Sequence, residues 1–423
     1  MSGGWRAFIS QGVWLRAPLW VIGLTAVGVC VGLVLLFSAS HPYSAVRFGD
    51  DPVAVTRKQV LAAVVGAVLF VVAWGTPLSL LKRWGWLLHL LSLALLVLAL
   101  VSPPMGGTSV HRWVRIGPFI LQPSELAKVT LPLLVACLVD FLRRLSAPLP
   151  RLLLWLIIAG NILGTFLLIA LEPHLSGAVI VSSIGLFAVF FSGLPLFRTF
   201  LIAAVAGLLL WGARGHLLKP YQLRRLEAVL NQREMTTQER YQQEQAKVAL
   251  GVSGLFGQGL FKGRQKQLIL PTPHNDFIFA AIGEEIGWVS VCLLLLFYWL
   301  IAFVGLGIGS YQPDAFGAAL AGALTMAIWL QAVLHILVNT GLFAVTGVPL
   351  PFVSAGGSSL CSTLAAMGLL CNLARRVPKI IRERDQQISS VTAPTGGRQF
   401  EVGSGRGRDR RASVPRPSHS RSR

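Results

Sequence analysis

Apolar residues run through this chain in long, nearly unbroken stretches, and the polar residues collect in the gaps between them. A helix rises 1.5 Å per residue, so about 20 apolar residues cross the roughly 30 Å hydrocarbon core of a bilayer. Ten stretches approach that length: Leu19–Ser38, Val60–Leu80, Trp84–Val101, Leu126–Phe141, Leu152–Ala170, Leu175–Phe191, Phe197–Trp211, Phe277–Val304, Ala318–Leu342 and Leu360–Leu373. The pattern predicts an all-α polytopic membrane protein with about ten transmembrane helices. No small-residue cleavage site follows the first stretch and further spans do, so it reads as a span and not as a signal peptide.

Composition agrees, with 54% of the 423 residues hydrophobic and 13% charged; that balance excludes a soluble domain. An even number of spans puts both termini on one side. Arg6, Lys82, Arg83, Arg143, Arg144, Arg151, Arg198, Arg375 and Arg376 lie on that side, and the positive-inside rule makes it cytoplasmic, N-in and C-in. Arg57, Lys58, Arg112 and Arg115 fall on the other side, so the bias is not clean. The five cysteines all sit within apolar runs and read as packing residues.

Three longer gaps, Ala39–Gln59, Ser102–Gln122 and Ala213–Asn275, are expected on the outer face. The last, between the seventh and eighth spans, carries 10 Lys/Arg against 4 Glu; long loops escape the positive-inside rule. Within it Thr236-Thr237-Gln238-Glu239 has the form of a capping box for a helix to about Leu250, followed by Gly254, Gly257, Gly259 and Gly263 as turn residues. An ordered basic surface at the membrane edge suits an anionic amphiphile. Residues 1–18 are expected as a cytoplasmic N-terminus, 19–376 as the membrane domain, and 377–423 as a disordered basic tail that meets anionic lipid headgroups. No nucleic-acid recognition fold accompanies the charge.

Ionisable groups inside a span cost at least about 2.5–3.5 kcal/mol near its centre, which makes them functional candidates. Glu125 and Lys128 stand three apart in Gln122-Pro123-Ser124-Glu125-Leu126-Ala127-Lys128, on one helix face, as an ion pair or a substrate contact. Glu172 and His174 fall in a tight turn between apolar runs, as caps or as groups facing a cavity. His274, Asn275 and Asp276 stand where the basic loop re-enters the membrane; an Asp before an apolar run caps a helix, and a partly desolvated carboxylate also suits a general base. Glu284 and Glu285 lie deeper. Gly347–Ser359, rich in Gly and Pro, dips into a span, and such irregular backbone needs protein or a water-lined cavity around it. His335 and Asn339 share a face as a buried hydrogen-bonded pair. No metal-ligand spacing or nucleotide motif appears.

Arg112-Trp113 with Ile116-Gly117, the Gln-Pro-Ser-Glu-Leu-Ala-Lys run, Glu172-Pro173, His274 with Asp276-Phe277-Ile278-Phe279, Gly283-Glu284-Glu285, and Pro349-Leu350-Pro351-Phe352 with Ser354 and Gly356-Gly357-Ser358-Ser359 stand in order along residues 20 to 376. Together they resemble the SEDS family of peptidoglycan glycosyltransferases, the FtsW- and RodA-type proteins. The resemblance implies a ten-span fold with a large outer loop between helices 7 and 8. It also implies polymerisation of lipid II, an undecaprenyl-pyrophosphate-linked disaccharide-peptide, with an essential outer-face aspartate that maps to Asp276 as general base. Candidate substrate-binding residues are Arg112, Arg115, Glu125, Lys128, Glu172, His174, Arg224, Arg225, Lys262, Arg264, His274, Ser354 and Ser358. Arg224, Arg225, Lys262 and Arg264 are the cations expected to hold pyrophosphate.

The family pattern has threonine at Asn275, aspartate at His174 and an aromatic at Ala355, so an acidic role for the 172–174 turn is in doubt. A class B penicillin-binding protein and divisome or elongasome proteins are the implied partners. No cofactor is identified, and dependence on a divalent cation is not readable from the residues. The basic tail and the Ile282-Gly283-Glu284-Glu285 form favour FtsW-type over RodA-type. A lipid flippase or transporter would use the same charges without a reactive carboxylate, and a non-catalytic scaffold would need no Asp276 side chain.

Overall fold

The computed structural model describes residues 14–48, 51–103, 111–117, 119–172, 174–194, 236–263 and 273–392, with isolated positions between 197 and 212. Arg224, Arg225 and Arg264 lie outside the described residues, as does most of the expected span Phe197–Trp211. The helices are α1 (Ala17–Arg47), α2 (Ala54–Gly75), α3 (Leu78–Val101), α4 (Pro123–Leu142), α5 (Pro148–Leu171), α6 (Leu175–Phe191), α7 (Thr237–Val252), α8 (Ile278–Ile286), α9 (Trp288–Ser310), α10 (Ala315–Asn339), α11 (Gly357–Ala374) and α12 (Val377–Thr392). A short antiparallel hairpin, β1 (Val114–Ile116) with β2 (Phe119–Leu121), pairs Val114 with Leu121.

Hydrocarbon offers the backbone no water, so a spanning segment satisfies its own amides as a helix. Seven of the described helices are long and apolar enough to cross a membrane. Helix α4, which carries Glu125, Lys128 and Asp140 along its 20 residues, and α6, with 17, pack among them. The all-helical polytopic fold expected from hydropathy is the fold observed.

Its boundaries move where local chemistry overrides hydropathy. The expected span Val60–Leu80 breaks at Pro77, which has no N–H to donate and pushes Thr76 into extended backbone, ψ 124°. Helix α2 therefore stops at Gly75 and α3 starts at Leu78, ahead of Trp84. The expected span Phe277–Val304 divides at Gly287, whose φ of 85° suits glycine; α8 precedes the full-length α9. Most of the expected loop Ala39–Gln59 is helical, because α1 continues to Arg47 and α2 begins at Ala54. Of the expected disordered tail 377–423, Val377–Thr392 is helical and rich in helix formers, and residues 393–423 lie outside the described residues. Residues to Ile381 form one compact unit and those from Arg382 a second.

In the first unit, α10 runs between two apolar cores. One face packs with α4, α5 and α6 through Ala315, Ala323 and Ala327; the other, with Phe316, Leu320 and Leu324, joins the core built with α1, α2, α8, α9 and α11. Small residues let helices approach closely. Gly66 on α2 lies against Leu364, and Gly368 on α11 against the Phe70 carbonyl, with no room for a Cβ at either. At one end of the bundle Lys82 bridges Asp140 at 3.1 Å and Asp314 at 2.8 Å, and Arg376 meets Asp314 at 3.0 Å.

Candidate functional site

The segments expected on one side of the membrane converge around a cleft of about 660 Å³. The hairpin brings Arg112 and Trp113, the turn between α5 and α6 brings His174, and the start of α7 brings Gln238 and Glu239. Asn275 and Asp276 reach it ahead of α8. The irregular segment between α10 and α11 closes it through Thr346, Gly347 and Ala355, and the first residues of α11, Gly357 to Ser359, form another wall. Each wall follows from local sequence. Thr236 accepts from the Glu239 amide at 3.2 Å while the Glu239 carboxylate takes the Thr236 amide at 3.1 Å, the expected capping box, and fixes α7. Pro123 at the start of α4 ends the hairpin at Gln122.

Asp276 is held by its backbone neighbours. Three successive carbonyls each meet a donor from elsewhere: His274 O takes the Ala355 amide at 2.9 Å, Asn275 O the Ser354 hydroxyl at 2.8 Å, and Asp276 O the Asn339 Nδ2 at 3.1 Å. Asn339 Oδ1 also accepts from the Ala280 amide at 3.1 Å in the first turn of α8, and its Nδ2 donates to His335 O at 2.8 Å, the buried pairing expected for those residues. On the far side of residues 354–356, Gln59 donates to Ser354 O at 3.2 Å and accepts from the Gly356 amide at 3.1 Å. The segment carrying Asp276 thus sits between α10 and an irregular stretch clamped by α2.

Of the expected site residues, Arg112, His174, Asp276 and Ser358 line the cleft. Arg112 Nε donates to Glu172 O at 3.2 Å, and Ser358 Oγ donates to Ile120 O at 3.2 Å while accepting the Gln122 amide at 3.1 Å. His174 Nδ1 lies 3.3 Å from Gln122 Nε2 and 3.4 Å from Ser124 Oγ. Glu125 and Lys128 pair at 2.6 Å below the cleft, and Gln331 links Lys128, at 2.9 Å, to the cleft residue Ser359, at 3.3 Å. Ser362 completes the cluster by donating to Glu125 at 3.0 Å.

Arg115, Lys262, His274, Ser354 and Glu172 do not line the cleft. Ser354 spends its hydroxyl on Asn275 O and the Leu350 amide. His274 stacks on Tyr43 with ring centroids 4.2 Å apart, and burial pulls its pKa down to about 4, so it is neutral near pH 7. Glu172 is fully buried with neither carboxylate oxygen hydrogen-bonded; burial raises its pKa to about 8 against the opposing pull of Arg112. Gln59 and Gln331 were not singled out in the sequence; Gln331, an uncharged amide inside an apolar run, carries a signal that could have marked it, whereas Gln59 follows Arg57 and Lys58 at the edge of a run and carries none. Among the described residues no cluster of His, Cys, Asp or Glu has the makings of a metal site.

A family model described as "Cell cycle protein", covering FtsW, RodA and SpoVE, matches residues 19–379. The chain belongs to the FtsW/RodA/SpoVE family. Among this SEDS family's members, an FtsW of Trichlorobacter lovleyi described as a probable peptidoglycan glycosyltransferase is 34% identical, covering 84% of this chain and 91% of its own length. Stage V sporulation protein E of Bacillus subtilis is 32% identical over 84% of this chain and 96% of its own. The peptidoglycan glycosyltransferase MrdB of Escherichia coli K12 is 33% identical over 80% and 90%. Among solved structures, a chain of a peptidoglycan synthase complex coordinating polymerization and crosslinking superposes with TM-score 0.68 at 27% identity, covering 84% of this chain and 97% of that one. RodA of Thermus thermophilus gives 0.61 at 26% identity, over 84% and 96%. This FtsW/RodA/SpoVE member is therefore a multi-pass protein of the bacterial cell membrane.

Proposed function

We propose that this peptidoglycan glycosyltransferase polymerises lipid II at the outer membrane face, with Asp276 as general base. The carboxylate takes the proton of the acceptor GlcNAc 4-hydroxyl as that oxygen attacks the donor MurNAc anomeric carbon. The bond to pyrophosphate breaks with inversion to β, and undecaprenyl pyrophosphate leaves with the bonding electrons. A donor activated in this way asks for charge neutralisation at its leaving group more than for an acid, so one carboxylate suffices.

The observation that carries this reading is the company Asp276 keeps in the cleft. Across the same space stand the Arg112 guanidinium and the N-terminus of α11 at Gly357 and Ser358. A cation that can bond phosphate oxygens and a helix N-terminus with free amides are both suited to pyrophosphate. The topology consistent with this is N-in and C-in, with the cleft outside. A class B penicillin-binding protein is the expected partner, and the basic tail favours a role in division over one in elongation.

The deciding experiment is polymerisation of purified lipid II by the solubilised protein with its cognate transpeptidase, wild type against Asp276→Asn. Polymer from the wild type alone, with both proteins binding lipid II, supports the proposal. Equal polymer from the variant reduces Asp276 to a structural residue and overturns the mechanism; polymer from neither shifts the reading to a flippase or a scaffold.

A further inference from the structure

The described stretch that follows α7, residues 253–263, carries a run of apolar side chains that the fold leaves largely exposed. Leu255 is 67% exposed, Phe256 80% and Leu260 46%, and Phe261, also 46% exposed, meets Phe37 and His41 of α1 edge-on; Gly254 before them and Gly257 and Gly259 among them have positive φ. Such a group of large apolar residues on a turn costs solubility unless something covers it. The turn is also rigidly held. Trp288 and Val289, the first residues of α9, donate their amides to Gly254 O at 3.1 Å and Leu255 O at 3.2 Å. Gln258 and Gly259 donate to the carbonyls of Glu284 and Glu285 at 3.0 and 2.8 Å. The Phe261 amide bonds the Glu285 carboxylate at 3.1 Å, and the Ser38 hydroxyl on α1 bonds that same carboxylate at 2.6 Å. These bonds hold Phe261 at φ 66°, a conformation a bulky residue rarely adopts unaided.

We propose that Leu255–Lys262 is an interfacial anchor whose apolar side chains enter the bilayer at the level where α9 begins, with Lys262 reaching lipid phosphate. The two backbone bonds to Trp288 and Val289 set the depth, because they place Leu255 beside the first turn of a membrane span. The surface there is continuous with one that lipid covers: Trp288, Val289, Leu293, Leu296 and Trp299 of α9 are all exposed large apolar residues. Aromatic side chains favour the headgroup boundary, and a flanking lysine extends its ammonium to anionic headgroups while its stem stays in the apolar layer. Lys262 is exposed and lies away from the cleft, which fits a lipid phosphate better than the substrate's pyrophosphate. The inference is independent of which residue carries the polymerisation chemistry.

The test uses the full chain in lipid nanodiscs with a benzophenone amino acid replacing Phe256, irradiated and analysed by mass spectrometry. Leu293 on α9 is the lipid-facing control position and the exposed Glu244 on α7 the water-facing one. Wild-type elution on gel filtration establishes that each labelled protein is folded. Lipid adducts at position 256 comparable to those at 293, with none at 244, are the expected result. Lipid adducts at 293 without any at 256 overturn the proposal, and so does a protein adduct at 256 in its place. Replacing anionic lipid by a zwitterionic one is expected to preserve the adduct at 256, while Lys262→Glu lowers its yield only in the anionic discs.

Discussion

Replacing Asn339 by alanine isolates the geometry of Asp276 from its chemistry, because Asn339 lies behind the cleft wall and reaches the reaction only through backbone. The substitution strands two groups: the Asp276 carbonyl loses its donor, and the Ala280 amide, in the first turn of α8 where no helical partner exists, loses its acceptor. A buried polar group left unpaired costs about 1–3 kcal/mol, so the two together weaken the local structure by roughly 2–6 kcal/mol. The cost falls on residues 274–280, which retain the bonds from Ala355 and Ser354, and the membrane bundle around them keeps its packing. A shift on the order of 1 Å at a reacting group lowers a rate by roughly 100-fold. The expected outcome for Asn339→Ala is a fall in kcat for lipid II polymerisation of about 10- to 100-fold, with KM for lipid II close to wild type. Ser354→Ala, which frees the Asn275 carbonyl, should act in the same direction, and Ser354→Thr, which keeps the hydroxyl, should recover part of the loss. Wild-type kcat from a folded Asn339→Ala protein would refute the argument that the pinned carbonyls position the base.

Three further substitutions test the buried charges. Lys128→Met leaves Glu125 buried beside Ser362 with no cation; breaking one half of such a pair costs about 3–5 kcal/mol, and thermal unfolding in detergent should drop by several degrees. Adding Glu125→Gln should restore part of that loss, and a double variant less stable than the single would contradict the pairing. Glu172 has a folded pKa near 8 against about 4.3 for a free glutamate, so the folded chain keeps a proton that the unfolded chain has released. Its contribution to stability is whole below about pH 4.3, shrinks as pH rises toward about 8, and is level above that. Glu172→Gln should therefore match wild type at about pH 4 and melt progressively higher up to about pH 8, and a pH-independent difference would show that the carboxylate has found a partner.

Hydropathy carried most of the fold because a bilayer imposes one rule on every span: α1, α3, α4, α5, α6 and α11 contain the runs expected of them, and α10 holds all but the last three residues of its own. It went astray where a single residue outweighs the average over twenty. Pro77 cuts an apolar run that hydropathy reads as continuous, and Gly287 does the same between α8 and α9. The helix from Val377 escaped notice for the opposite reason: its charge balance signals disorder, while the residues themselves are good helix formers. FtsW- and RodA-type members stay close in sequence as well, with an FtsW at 34% identity and MrdB at 33%, so overall identity does not separate them.

The candidate site was most legible in its charged members, with His174 and Ser358 joining them in the cleft. Asp276, Arg112 and the Glu125–Lys128 pair announce themselves because charge at a membrane boundary is costly; Asn339 is legible only as half of a buried pair with His335, and the uncharged Gln59 and Gln331 act through bonds to distant partners. Their partners are also remote: Asn339 meets Asp276 across 63 residues of chain, and Gln59 meets Gly356 across 297. No local pattern encodes such contacts. They do explain why the Gly- and Pro-rich stretch 347–359 leaves the helical pattern at all. An unwound backbone has free amides and carbonyls on both edges, so residues 354–356 can bond Gln59 on one side and residues 274–275 on the other, which a continuous helix could not do. The break between α10 and α11 thus supplies two of the bonds that hold the backbone beside Asp276. Straightening it by design should cost the position of Asp276 before it costs the fold.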